Sequence, residues 1–169
     1  MPVNNGLFPD AEGNCTEWVE LYNRSGESVS LQGYYLSDDP DAPFRAALPD
    51  RELGAGEYLV VYLSGEETGG GDEVHVEFGL SAGESVTLTT ISGMRQDTVF
   101  YGGDCPENAS FGLDDAGEIV YYGVPTPGFE NTKAYSCADT VGWFNSGGVF
   151  ISEVSAAEEE GDWVELCNG

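Results

Sequence analysis

The chain has 169 residues, with 31 Asp and Glu against 5 Lys and Arg and a formal net charge of −26. Charge of that sign repels a phosphate backbone and an anionic lipid surface, which excludes electrostatic nucleic-acid binding and a polybasic membrane contact. Hydrophobic residues make up 40% and aromatics 12%, too apolar for a disordered acidic tail and sufficient for a packed core. The length suits one domain of ordinary size, and no run of about 18 apolar residues is present to span a membrane. The opening Met1-Pro2-Val3-Asn4-Asn5-Gly6 has neither the basic nor the apolar region of a signal peptide. An export signal is therefore expected outside this stretch.

Read in chain order, most of the sequence has a period of two. Trp18-Val19-Glu20-Leu21-Tyr22 places Trp18, Glu20 and Tyr22 on one face and Val19 and Leu21 on the other, which predicts a strand. Asn23-Arg24-Ser25-Gly26-Glu27 then supplies turn chemistry. Further short runs follow at residues 29–31, 34–36, 58–63, 85–89, 97–101, 109–112 and 119–122, each bounded by Gly, Pro, Asp or Asn. They are filled by β-branched and aromatic residues, and no apolar stripe of helical spacing is sustained. About eight to ten short strands with frequent turns predict an all-β fold, an antiparallel sandwich or barrel. The apolar run at 58–63 is expected to be buried on both faces, with half-buried neighbours.

The sequence also repeats itself. Gly161-Asp162-Trp163-Val164-Glu165-Leu166-Cys167-Asn168 echoes Thr16-Glu17-Trp18-Val19-Glu20-Leu21-Tyr22-Asn23. A good strand, Val149-Phe150-Ile151-Ser152-Glu153-Val154, precedes the later copy. The best counterpart before the first copy, Val3-Asn4-Asn5-Gly6-Leu7-Phe8, is poor because Asn and Gly disfavour strands. The expected organisation is a complete module over residues 1–131, a linker over 132–148, and the opening strands of a truncated second module over 149–169. Such a short second piece cannot bury a core by itself, so the chain reads as a fragment of a longer protein of tandem modules.

These residues resemble the lamin tail domain family, an immunoglobulin-like β-sandwich found in nuclear lamins and in many secreted bacterial proteins. Ile151-Ser152-Glu153-Val154 with Asp162-Trp163-Val164-Glu165-Leu166 is similar to the family's opening pair of strands. Trp18 to Asn23, then Val29-Ser30-Leu31-Gln32-Gly33-Tyr34-Tyr35-Leu36-Ser37-Asp38-Asp39, is similar to its next segment. Leu48-Pro49, Leu53 to Val61, Phe78-Gly79-Leu80-Ser81, Gly83 to Leu88 and Asp97-Thr98-Val99 continue in family order. Ser110-Phe111-Gly112 and Pro125-Thr126-Pro127-Gly128 with Asn131 look like the closing signature. The pieces are specific through their number and order. Two departures stand out: Leu113 occupies a position where bacterial relatives often carry a basic residue, and the first strand is degraded. The resemblance implies a non-catalytic scaffold or interaction module tethered to other domains, and fold alone does not fix function.

Several motifs are of residue types that could carry chemistry. Gly79-Leu80-Ser81-Ala82-Gly83 matches the Gly-x-Ser-x-Gly elbow formally, but residues 84–90 read as a strand where the elbow needs a helix. His75, the one histidine, alternates with Glu73 and Glu77 on its own face; two carboxylates beside an imidazole suit a metal, and an exposed strand face is the plainer expectation. Asp38, Asp39 and Asp41 gather carboxylates in a loop, as calcium requires, though without EF-hand spacing; a structural turn is the default. Asp114-Asp115-Ala116-Gly117 reads as a hairpin turn and Glu158-Glu159-Glu160 as a solvated loop. Cys15, Cys105, Cys137 and Cys167 form no Cys-x-x-Cys; Cys105 with Cys137 is the first candidate disulfide, with Cys15 the competing partner. Asn14, Asn23 and Asn108 match glycosylation acceptors, a frequent pattern by chance.

No catalytic, cofactor-binding or metal residue is therefore assigned, and no cofactor is expected. The expectation is a non-catalytic module of an exported, extracellular or cell-surface protein, acting as a spacer or binding a protein or glycan through its loops. The alternative is a calcium-binding accessory module attached to an enzyme domain elsewhere. The strong strand at 149–154 is expected to add to an exposed sheet edge, within the chain or by strand exchange between chains.

Overall fold

The computed structural model describes residues 1–66, 72–113 and 119–131, together with the backbone of 149–155 and 163–168. The strands are β1 (Glu17–Tyr22), β2 (Val29–Ser30), β3 (Tyr34–Ser37), β4 (Ala46–Ala47), β5 (Glu52–Leu53), β6 (Tyr58–Leu63), β7 (Val74–Val76), β8 (Ser85–Thr90), β9 (Arg95–Phe100), β10 (Ser110–Leu113), β11 (Ile119–Tyr122), β12 (Val149–Ser155) and β13 (Trp163–Asn168). No helix occurs among the described residues, so the all-β expectation holds. The chain divides into two compact units, Met1–Thr132 and Lys133–Gly169.

In the first unit, β1, β6 and β7 form one sheet in that order, and β4, β3, β8 and β9 form a second. β1 is antiparallel to β6, from Glu17 opposite Leu63 to Tyr22 opposite Tyr58, whereas β6 and β7 are parallel. β2 with β5 and β10 with β11 make two-stranded ribbons. In the second unit β12 pairs antiparallel with β13, with an irregularity between Ile151 and Glu153. The strand expected at 149–154 is thus present, and its partner within its own unit is β13.

Alternation places the core between the two sheets. Leu59, Val61 and Leu63 of β6 and Val74 and Val76 of β7 meet Leu36 of β3 and Val86 of β8, with Val19 and Leu21 of β1 packed against them. Val61 is fully buried. Each such aliphatic side chain contributes about 1.5–3 kcal/mol by leaving water. The expectation that residues 58–63 are buried on both faces is corrected: Tyr58, Val60 and Tyr62 are only half-buried. Their face is the outer one, covered by chain segments and not by another sheet. β4 and β5 also lie outside the predicted runs, because two residues are too few to show a period, whereas β7 falls on the alternating run at 73–77.

The outer face carries Trp18, only 4% exposed yet outside the main core cluster. The N-terminal arm covers it. Phe8 meets the indole edge-on at 6.3 Å between ring centres. Asn4 Nδ2 donates to the carbonyls of Phe8 and Thr16 at 2.8 and 2.9 Å, and Asp10 Oδ1 accepts from the Asn14 and Glu12 amides. Met1 closes the arm on β1: the Trp18 amide donates to its carbonyl at 3.1 Å, and its amino group donates to the Trp18 carbonyl at 2.6 Å.

Asn23 locks the far end of β1. It is 7% exposed, and its Nδ2 donates to the carbonyls of Glu27, Leu53 and Gly54 at 2.8, 2.8 and 3.0 Å. Its Oδ1 accepts from the Ser25 amide at 3.0 Å. One side chain thereby ties β1 to β5 and to the turn before β2. Asn23→Ala should lower the unfolding free energy by about 2–4 kcal/mol in urea melts, since it strands several polar groups, some of them buried; a loss under about 0.5 kcal/mol would contradict this assignment.

Burial also acts on the Met1 amino group, pushing it from 8.0 down to about 5. A base depressed in the fold takes up its proton on unfolding, so stability is full above pH 8 and is lost as pH falls from 8 towards 5. For a chain beginning at Met1, urea melts between pH 8 and pH 6 should show that positive slope. Acetylation of the N-terminus should flatten it.

Candidate functional site

Among the described residues, a cluster of chemically capable side chains lies at the edge of the first sheet, around His75. Parallel pairing sets His75 opposite Tyr62, and the imidazole stacks on the phenol ring at 5.1 Å. Its Nδ1 lies 3.2 Å from Ser64 Oγ and its Nε2 lies 3.5 Å from Glu73 Oε2. Ser64, His75 and Glu73 therefore stand in the contact order of a nucleophile, base and orienting acid. The hydrogen bonds assign them otherwise. Ser64 Oγ donates to the Glu66 carbonyl at 3.0 Å, so its lone pair receives the imidazole N–H and its own proton is not aimed at a base. Glu73 spends both oxygens on the Ala11 amide, at 3.0 and 2.9 Å.

The expected exposed strand face at His75 is corrected, since the side chain is 9% exposed beneath Tyr62. The expected pair of flanking carboxylates is also divided. Glu73 reaches the ring, whereas Glu77 shares only a small pocket with His75, Arg45, Ala46, Ala47 and Val76. No group of three or more His, Cys, Asp or Glu side chains able to hold a metal occurs among the described residues.

The acidic loop is a set of turn contacts. Asp39 Oδ1 accepts from the Asp41 amide at 2.8 Å, and the Asp39 amide and carbonyl both bond Ser37 Oγ, at 3.0 and 2.9 Å. Asp38 pairs with the Arg45 guanidinium, which lies 5.3 Å over the Phe78 ring. A cation therefore already faces Asp38. Ser81 sits in a turn closed by the Glu84 amide on the Ser81 carbonyl at 3.1 Å, which leads directly into β8. Gly83 adopts φ +91°, a conformation that suits glycine there. The Ser81 amide donates to Glu84 Oε2 at 2.7 Å, and the strand after it excludes the nucleophile elbow.

Cys15 and Cys105 are both free thiols, so the competing Cys15–Cys105 pairing is not made, and the Cys105–Cys137 pairing lies outside the described residues; Cys105 Sγ approaches the Ala109 carbonyl at 3.5 Å. Cys137, the Cys167 side chain, Asp114 to Gly117 and Glu158 to Glu160 lie outside the described residues. Of the glycosylation acceptors, Asn23 is occupied by the carbonyls described above, and Asn108, at φ 59°, exchanges bonds with the Asn5 backbone. Ser64 and Tyr62 were not singled out from the sequence as neighbours of His75. Their proximity comes from a parallel pairing across a long loop, which leaves no local periodicity.

Two sheets enclosing one core, with loops at both ends and side-chain chemistry spent on the backbone, define an immunoglobulin-like β-sandwich. The model of the Lamin Tail Domain matches residues 5–105, and the chain belongs to that family, whose members are non-catalytic immunoglobulin-like domains. No curated protein and no solved structure matches the chain. The closing Pro125 to Gly128 segment lies beyond the matched residues.

If the acidic loop is a turn, its groups should separate by their contacts. Asp39→Ala should cost about 1 kcal/mol in urea unfolding through its lost backbone bond. Ser81→Ala should stay within about 0.5 kcal/mol of the parent, as an exposed site does.

Proposed function

We propose that this domain is a non-catalytic structural or interaction module of an exported, multi-domain surface protein, working outside the cell as a spacer or as a carrier of protein- or glycan-binding loops. The observation that supports this best is the use of its carboxylates. Glu17 accepts the Leu80 amide at 2.8 Å, Glu20 the Gly128 amide at 3.0 Å, and Glu73, Asp10 and Asp39 bind the backbone as described. These groups build turns and dock segments, which is a scaffold's use of charge.

Among the described residues most of the remaining acids are solvent-exposed, and a strongly negative coat keeps neighbouring modules soluble and apart. Partners in this reading are the other domains of the same protein, a protein or glycan ligand at the loop ends, and a neighbouring copy through the strand at 149–154. Nucleic acid and membrane insertion fall outside it.

Calcium binding by Asp38, Asp39 and Asp41 is the competing reading. Calorimetry of the full chain with millimolar calcium should give no binding heat, and the melting temperature should move by less than about 1 °C. Saturable heat with a rise of several degrees would replace the scaffold reading with the calcium-binding one.

A further inference from the structure

A run of aromatic rings leads from the core to the surface along the ribbon of β10 and β11. Tyr101 belongs to the core cluster and stacks on Phe111 at 5.8 Å between ring centres. The antiparallel register sets Phe111 opposite Tyr121, and those two rings meet at 6.2 Å. Tyr121 is the exposed end of the run, and its hydroxyl donates to Asp104 Oδ1 at 2.7 Å. That bond, ahead of burial, pushes the Tyr121 phenol above its ordinary value, so it stays a donor at neutral pH. Phe100, the last residue of β9, is also exposed and reaches the same place. A Cβ on Gly102 would lie 3.4 Å from Asp104 Oδ1 and 3.7 Å from Phe100 Cε1. Bare backbone therefore leaves a gap between a carboxylate and an aromatic ring.

Asp104 differs from the acids that bind backbone amides. It is exposed, and its Oδ2 has no hydrogen-bond partner among the described residues. No ion pair among those residues includes it; the two present join Arg45 to Asp38 and His75 to Glu73. We infer that Phe100, Asp104 and Tyr121 form a docking site for a cationic side chain, foremost arginine, of a partner protein. The inference rests on the interaction half of the reading above and names the chemistry of the partner.

Charge selects the occupant. With 31 acids against 5 Lys and Arg, the chain draws a basic segment in and repels an acidic one. Arginine then matches the site in two ways. Its guanidinium makes charge-assisted hydrogen bonds to a carboxylate, and its plane is attracted to aromatic faces. Asp104 Oδ2 is the open acceptor, and the exposed rings of Phe100 and Tyr121 stand on either side of it. The Tyr121 hydroxyl already holds the carboxylate, so less side-chain freedom is lost on binding. A neutral glycan would gain from the rings and the acceptor but nothing from the net charge, which places it second.

The test is an NMR titration of the isotope-labelled full 169-residue chain at about 0.15 M salt, with a short peptide alternating arginine and glycine. Amide shifts should concentrate at Gly102, Gly103, Asp104 and Tyr121 and should saturate. Asp104→Asn keeps an acceptor for the Tyr121 hydroxyl but removes the charge, and should weaken binding about fivefold or more. Glu12→Gln removes the same unit of charge from an exposed position elsewhere and should stay within about twofold of the parent. The citrulline counterpart of the peptide, which lacks the charge, should bind about fivefold more weakly or worse. Shifts spread evenly over the surface, or equal losses from Asp104→Asn and Glu12→Gln, overturn the proposal, because they assign binding to net charge alone. Saturable shifts at the same amides with maltohexaose, and none with the arginine peptide, overturn it in favour of a glycan. Should Asp104→Asn not fold, Gly102→Leu decides: filling the gap between Asp104 and Phe100 should cost about fivefold or more, and an unchanged affinity counts against the site. Each of these failures leaves the calcium response untouched, so the scaffold reading is judged separately.

Discussion

Several separate segments of the first unit are fastened to the antiparallel ladder between β1 and β6. Val19 and Leu21 turn inward to the core, and each other residue of β1 holds a different piece of chain. Glu17 binds the Leu80 amide ahead of β8. Trp18 seats the N-terminal arm. Glu20 binds Gly128 in the closing segment, Tyr22 stacks on Tyr58 at 4.5 Å, and Asn23 clasps β5 and the following turn. A strand with one apolar and one polar face does both jobs because successive side chains alternate. The core sets where β1 lies, and its outer face sets where the loops lie.

This arrangement gives the negative charge a physical meaning. Backbone amides outside strands need acceptors, and carboxylates are the strongest ones a side chain offers. Glu17, Glu20, Glu73, Glu84, Asp10 and Asp39 serve that role in contacts separated by between two and more than a hundred residues. Burial raises the Glu20 carboxyl above its usual range, while the Gly128 amide and the N-terminal amine draw it back. Among the described residues Glu20 is thus an acid held against its own charge by burial.

How much could be read beforehand follows from the range of each interaction. The strands at 58–63 and 119–122 were legible with their observed limits, because several alternating residues carry the signal locally. β4 and β5 were not, being two residues long. The burial of residues 58–63 was overestimated because the cover on their outer face comes from distant irregular chain, which has no period to read. The Ser64–His75–Glu73 cluster was half legible: spacing placed Glu73 beside His75, while Ser64 arrives through β6 pairing in parallel with β7. The family resemblance was carried by the order of short pieces, which survives even where single strands are weak.

If β1 organises the unit, its ladder with β6 should be among the last structure to open. Native-state hydrogen exchange in low urea tests this directly. The amides of Val19, Leu21 and Asn23 should exchange only through global unfolding, with an opening free energy matching that from urea melts, within about 1 kcal/mol. If those amides instead open several kcal/mol below the global value, while β3 and β8 stay protected, then β1 is a peripheral strand and the account fails.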